Sequence, residues 1–191
     1  MFSYSPIDRI SQPTIGTLAR FVFAATLAPY FWASAMTKIG APLGPLTPSA
    51  GAYFQIFPRA IEAAGYNPNA LGIWATIIVI AGTLAEFILP ALIILGAATR
   101  PAALGMIVFI IVQTLTDLYG HGSIAHAETV GALFDKSPDS IISDQRLTWI
   151  FILSTLALTG AGPISLDRLF TRAIAPIWSR RSNPENIARH G

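Results

Sequence analysis

The chain contains no cysteine. Disulfides, thiolate metal sites, cysteine-ligated iron–sulfur clusters, c-type haem attachment and any dithiol relay are therefore excluded within it. Charge is nearly as scarce, since Asp, Glu, Lys and Arg make up 12% of residues, against roughly 25% in ordinary soluble domains. The net charge of +2 comes without a basic stripe interleaved with aromatics, so nucleic acid is not an expected partner. Histidine occurs three times, and no pair of histidines sits in two apolar spans where it could hold a b-type haem. HExxH, a nucleotide-binding glycine loop and a serine elbow are all missing.

What remains is apolar: 53% of residues are hydrophobic and the mean hydropathy is +0.57. Four stretches can cross a bilayer, at about residues 15–38, 71–96, 102–119 and 147–162. A helix rising 1.5 Å per residue needs about 20 residues to cross hydrocarbon, so the fourth is short and must borrow residues at its ends. The expected fold is all-α: a four-helix transmembrane bundle forming a single domain over residues 1–191. Ala33, Ser34 and Ala35 resemble a signal-peptidase site, but the long preceding region, with only Arg9 and Arg20 as basic residues, and Pro29 within the apolar stretch favour a retained span.

The run LGIWATIIVIAGTLAEFILPALIILG, from Leu71 to Gly96, contains one ionisable side chain, Glu86. A carboxylate at that depth costs about 3 kcal/mol or more, and such a residue normally faces the bundle interior with a partner. Four residues later stands Pro90, which has no N–H to donate to the Glu86 carbonyl. Arg20 and Lys38 lie 18 residues apart, or about five whole turns, so they share one face of the first span. Counting inward from the cytoplasmic ends, Arg20 is the nearer in depth, and an Arg20–Glu86 ion pair is expected. Such a pair serves equally to fix helix register. The intramembrane polar site is thus Glu86, Arg20 and Pro90.

A second polar stripe ends the third span, where Gln113, Asp117 and His121 follow at intervals of four, joined by Gly120. With Lys38 they form an expected outer polar site. Asp117 and His121 make an acid–imidazole pair suited to proton handling. With His126 and Glu128 they read as interfacial caps rather than metal ligands, and no metal site is expected.

Basic residues divide eight to four between the two sides, which places both termini in the cytoplasm. The connection after the first span opens with GAPLGPLTPS, read as irregular, and continues with Tyr53, Phe54, Phe57, Ile61 and Ala64 at helical spacing. That pattern predicts a short amphipathic helix at about 50–64, lying on the outer interface as an aromatic anchor. The acidic loop between the third and fourth spans reads as a solvated outer loop. The tail at about 167–191 combines Phe170, Ile174, Ile177 and Trp178 with Arg168, Arg172, Arg180 and Arg181, and reads as a cytoplasmic segment held by anionic lipid.

LAEFILPALIILGAATRPAALGMI resembles the signature of DoxX-like membrane proteins. TGAGPISLDRLF, from Thr159 to Phe170, is similar to that family's Gly-rich close and Ser-Leu-Asp, and Arg20 with TKIGAP at Lys38 matches its basic pair. The resemblance implies a multi-pass bundle in the bacterial inner membrane. It also implies a subunit of a quinone-linked respiratory or redox complex, as in members that belong to a thiosulfate:quinone oxidoreductase. The chain has no electron carrier of its own, a quinone is the one cofactor in view, and membrane lipid and other membrane subunits are the expected partners. The alternatives are a non-catalytic assembly subunit of a membrane supercomplex and, more weakly, a small-solute or metal-ion transporter, for which no inverted repeat is evident.

Overall fold

Long apolar runs form four helices capable of crossing a membrane in the computed structural model, which describes residues 6–41 and 44–169. The spans cover Pro13–Thr37, Pro68–Leu95, Thr99–Gly120 and Ile141–Thr159. The first belongs to α1 (Pro6–Thr37), which runs through Pro13 and Pro29. The second is α4 (Gly72–Leu95), entered through a 3₁₀ turn at Pro68–Leu71. The third is α5 (Thr99–Leu115), prolonged by a π-helical turn at Thr116–Gly120. The fourth, α7 (Arg146–Thr159), follows the short α6 (Ala127–Val130) and gains its missing length from a π-helical turn at Ile141–Gln145 at its N-terminal end alone. The tail from Phe170 onward lies outside the described residues.

α1 packs against α4 and α7, and α5 packs against the same two helices. Phe23, Leu27 and Phe31 of α1 meet Ile93, Met106, Ile110, Leu153 and Leu156 in the shared core. Phe31 is ringed by Phe109 and Trp149 at centroid distances of 6.0 and 5.8 Å in edge-on geometry, the arrangement aromatic quadrupoles favour. The outward sides are equally apolar, with Phe21, Trp74, Val108, Phe151 and Leu158 all exposed. A helix hydrophobic all round belongs in lipid, so this is an integral, multi-pass membrane protein in contact with lipid.

The connection between α1 and α4 differs from the expectation in two ways. GAPLGPLTPS carries a two-stranded antiparallel ribbon, β1 (Ile39–Gly40) with β2 (Gly44–Pro48), in which Ile39 faces Pro48 and Gly40 faces Gly44. Proline is compatible with a strand that has a free edge, which a two-stranded ribbon provides. Gly40 is needed there, because a Cβ would sit 2.8 Å from the Thr47 carbonyl oxygen.

The single amphipathic helix is instead two, α2 (Ala50–Ile56), capped by Ser49, and α3 (Pro58–Ala63). Pro58 removes the N–H that would continue the first helix, and starts the second from N1. Part of their apolar surface is turned onto α4. Ala52, Tyr53 and Ile61 are buried against Val79 of α4, and the Tyr53 hydroxyl bonds the Thr76 hydroxyl at 2.9 Å. The N-terminal half of α4 is therefore covered by this connection.

The opposite end is closed by the Ser-Leu-Asp motif. The Asp167 carboxylate accepts from the backbone N–H of Ala98 at 2.6 Å and of Thr99 at 3.0 Å, while its own N–H donates to the Gly96 carbonyl at 2.8 Å. One aspartate thus caps the positive end of α5 and ties it to the last turn of α4. Gly96 takes the left-handed conformation that ends α4 (φ 66°), and a Cβ on it would collide with the Arg20 guanidinium and lie 2.6 Å from Ser165 Cβ.

Candidate functional site

Depth in the bundle is set by the register between α1 and α4. The Trp32 indole N–H donates to the Phe87 carbonyl at 3.3 Å and the Ser34 hydroxyl donates to Glu86 Oε1 at 3.3 Å. Residues 32–34 are therefore level with 86–87, and Lys38, one turn beyond Ser34, reaches the same carboxylate. Lys38 Nζ donates to Glu86 Oε2 at 2.9 Å and to Oε1 at 3.1 Å. It also donates to the Ser34 hydroxyl at 2.7 Å and to the Ser34 carbonyl at 3.2 Å. Lys38 is 5% exposed and Glu86 3% exposed. Every donor of the ammonium has an acceptor, as a buried charge requires.

The expected Arg20–Glu86 pair is corrected by this geometry. Arg20 is half-buried near the middle of α1, where it donates to the Ile164 carbonyl, packs over Gly96 and interacts electrostatically with Asp167. It belongs to the joint that closes the bundle, about three turns of α4 from Glu86. Pro90 is buried one turn beyond Glu86 within an α4 that continues to Leu95.

Above the pair opens a cavity of about 580 Å³. Its walls are α4 (Ile78, Gly82, Ala85, Leu89) and α5 (Gly105, Val108, Phe109, Val112), with α1 behind and Gln55 and Ile56 of α2 overhead. Small residues keep the two helices apart in volume yet close in backbone: a Cβ on Gly105 would lie 3.3 Å from Leu89 Cδ1. Ile78, Val108 and Val112 are exposed as well as lining it, so the cavity opens sideways between α4 and α5 where hydrocarbon would lie.

Gln113, Asp117 and His121 line the outer end of the same cavity. The two expected polar sites, apart from Arg20 and Pro90, are thus one. Gln113 donates to the Tyr30 hydroxyl at 3.0 Å, leaving its buried Oε1 without a partner. The anticipated Asp117–His121 pair does not form. Asp117 is ion-paired with Arg146, which is 4% exposed, and the His121 ring bonds the Gln55 carbonyl at 3.1 Å. Each has a competing partner beside the π-helical turn at Thr116–Gly120: Arg146 of α7 takes the Asp117 carboxylate, and α2 takes the His121 ring. Gly120 leaves the stripe and packs on Pro58 so closely that a Cβ would sit 2.8 Å from Pro58 Cγ. His126 and Glu128 are exposed and 3.9 Å apart. Among the described residues, no group of three His, Asp or Glu side chains could hold a metal ion.

Sequence reasoning missed Ser34, Tyr30, Gln55 and Arg146. Ser34 had a signal, since it precedes Lys38 by four residues and so shares its face. Arg146 had none: it reads as a loop residue until the π-helical turn before it is known.

The family model for DoxX matches residues 17–118, more than half of the chain and the part that holds Lys38, Glu86, Gln113 and Asp117. No curated protein and no solved structure matches the chain.

Proposed function

We propose, from the premise that this chain belongs to the DoxX family, that it is a quinone-binding membrane subunit of a redox complex. The observation that carries the reading is the cavity itself: apolar walls, a lateral opening between α4 and α5, and a fully bonded Lys38–Ser34–Glu86 cluster at its inner end. A lipid-soluble molecule with a polar head suits that gradient. The isoprenoid chain would remain among Ile78, Val108 and Val112 at the mouth. The head would meet Lys38, Ser34, Tyr30 and Gln113, whose unpartnered Oε1 is an acceptor for a quinol hydroxyl.

The chemistry available to the chain is binding and proton handling. Lys38 donates to a quinone oxygen by giving up one of its Ser34 acceptors, and Glu86 is a proton acceptor and donor beside it. Electrons have to come from a partner, because the chain carries no cysteine ligand and no paired haem histidines. Its setting, on this reading, is the bacterial inner membrane with the termini in the cytoplasm, as the eight-to-four division of basic residues favours.

Decylubiquinone titrated into the purified chain, followed by quenching of tryptophan fluorescence, tests the reading. Trp32 reports on the site because its indole is bonded next to Glu86. Saturable quenching that weakens in Glu86→Gln is expected. Linear quenching in the wild type, or identical curves in both, would overturn it and leave the assembly-subunit reading in its place.

A further inference from the structure

Charge and polarity are distributed unevenly along the bundle axis. From Glu86 toward the end that carries α2, α3 and the loop at 121–140, the cavity wall offers Gln113, whose amide is met by the Tyr30 hydroxyl from α1, then Thr116 and Asp117, and last Gln55 and His121. His121 is exposed and the Asp117 side chain is 30% exposed, so this ladder reaches water. Glu86 and Ile78 are eight residues apart on α4, and the climb is about 12 Å at 1.5 Å per residue. Two or three bridging waters span such a distance when polar partners line the way.

The other half of the bundle is built differently. Below the pair, Phe23, Leu27, Ile93, Met106 and Leu156 are each no more than 1% exposed. No charged side chain of the described residues lies between Glu86 and the layer of Arg20, Arg100 and Asp167. Interiors packed to this degree leave no room for a water file, and the hydroxyls of Thr26, Thr155 and Thr159 are bonded back onto carbonyls of their own helices.

We infer that Glu86 communicates with water on one side only, the side of the 121–140 loop, and that a proton joining or leaving its carboxylate crosses through the Gln113–Asp117–His121 vestibule. The cavity then has two mouths with separate duties: hydrocarbon between α4 and α5 for an apolar ligand, and the loop end for water and protons. The Asp117–Arg146 pair and the His121–Gln55 bond stand at the aqueous mouth and hold α5, α7 and α2 around it. Quinone chemistry carried out here, if the proposed function holds, exchanges its protons with that side alone.

Because the purpose of this access rests on the quinone reading, the test scores access and ligand separately. The chain is naturally free of cysteine, so single cysteines can be introduced with no background. Ala85→Cys and Thr116→Cys place a thiol on the inner and outer parts of the cavity wall. Ala132→Cys in the loop and Leu169→Cys at the opposite end mark the two sides. Membrane vesicles of both orientations are treated with a charged, membrane-impermeant methanethiosulfonate.

Ala85→Cys and Thr116→Cys are expected to react in the vesicles where Ala132→Cys reacts, and to be spared where only Leu169→Cys does. Reaction from the Leu169 side, from both sides, or from neither would overturn one-sided access. Adding decylubiquinone scores the other reading: protection of Ala85→Cys supports quinone binding, and unprotected but one-sided labelling rejects the quinone while sustaining the access route.

Discussion

Replacing Lys38 by methionine keeps an unbranched side chain one atom shorter and removes its charge, so it isolates what the ammonium does for Glu86. Losing one partner of a buried ion pair costs about 3–5 kcal/mol, because the remaining charge is left uncompensated. Here Glu86 keeps one weak donor, the Ser34 hydroxyl at 3.3 Å, which offsets about 1 kcal/mol. The expected loss is about 2–4 kcal/mol. Glu86→Gln is milder, since Lys38 retains the Ser34 hydroxyl at 2.7 Å, the Ser34 carbonyl at 3.2 Å and the new amide oxygen. The double variant restores neutrality, so the pair couples by at least about 1.5 kcal/mol, while Arg20→Met with Glu86→Gln is additive within about 0.5 kcal/mol. Reversible unfolding in mixed detergent–SDS micelles, followed by far-ultraviolet circular dichroism, measures all of these. Additive Lys38 and Glu86 effects, or strong coupling between Arg20 and Glu86, would refute the assignment of partners.

Two further substitutions probe the closed end of the bundle. Gly96→Ala forces a Cβ against the Arg20 guanidinium and Ser165 at φ 66°, and thermal unfolding is expected to show a loss of more than about 1 kcal/mol. An unchanged melting temperature would contradict the packing described. Asp167→Ala removes both caps on the first turn of α5, and the same assay is expected to show a loss of about 1–2 kcal/mol, with Asp167→Asn recovering part of it.

The membrane spans were legible because hydrocarbon imposes a length and a composition that nothing else in a sequence imitates. Glu86 was legible for the same reason, as the one ionisable side chain in α4. Its partner was not. Arg20 and Lys38 share a face, and choosing between them by depth assumed that α1 and α4 begin and end together. They do not: α4 continues for roughly two and a half turns above the level of Lys38, and the β1–β2 ribbon with α2 and α3 fills the space beyond the end of α1. The amphipathic pattern at 50–64 announced an apolar face but not that Ala52, Tyr53 and Ile61 would pack on Val79 of α4. The fate of the outer stripe turned on competing partners, Arg146 for Asp117 and Gln55 for His121, beside a π-helical turn that leaves no trace in hydrophobic periodicity.

The dissociation constant of decylubiquinone for wild type, Glu86→Gln and Arg20→Met, taken from tryptophan quenching, bears most directly on the claim that the Lys38–Glu86 cavity is the working site. Removing Glu86 is predicted to weaken binding by about tenfold, equivalent to about 1.4 kcal/mol, while Arg20→Met leaves it within about twofold because Arg20 lies at the closed end. Equal constants for all three proteins, or a larger loss for Arg20→Met than for Glu86→Gln, would contradict it.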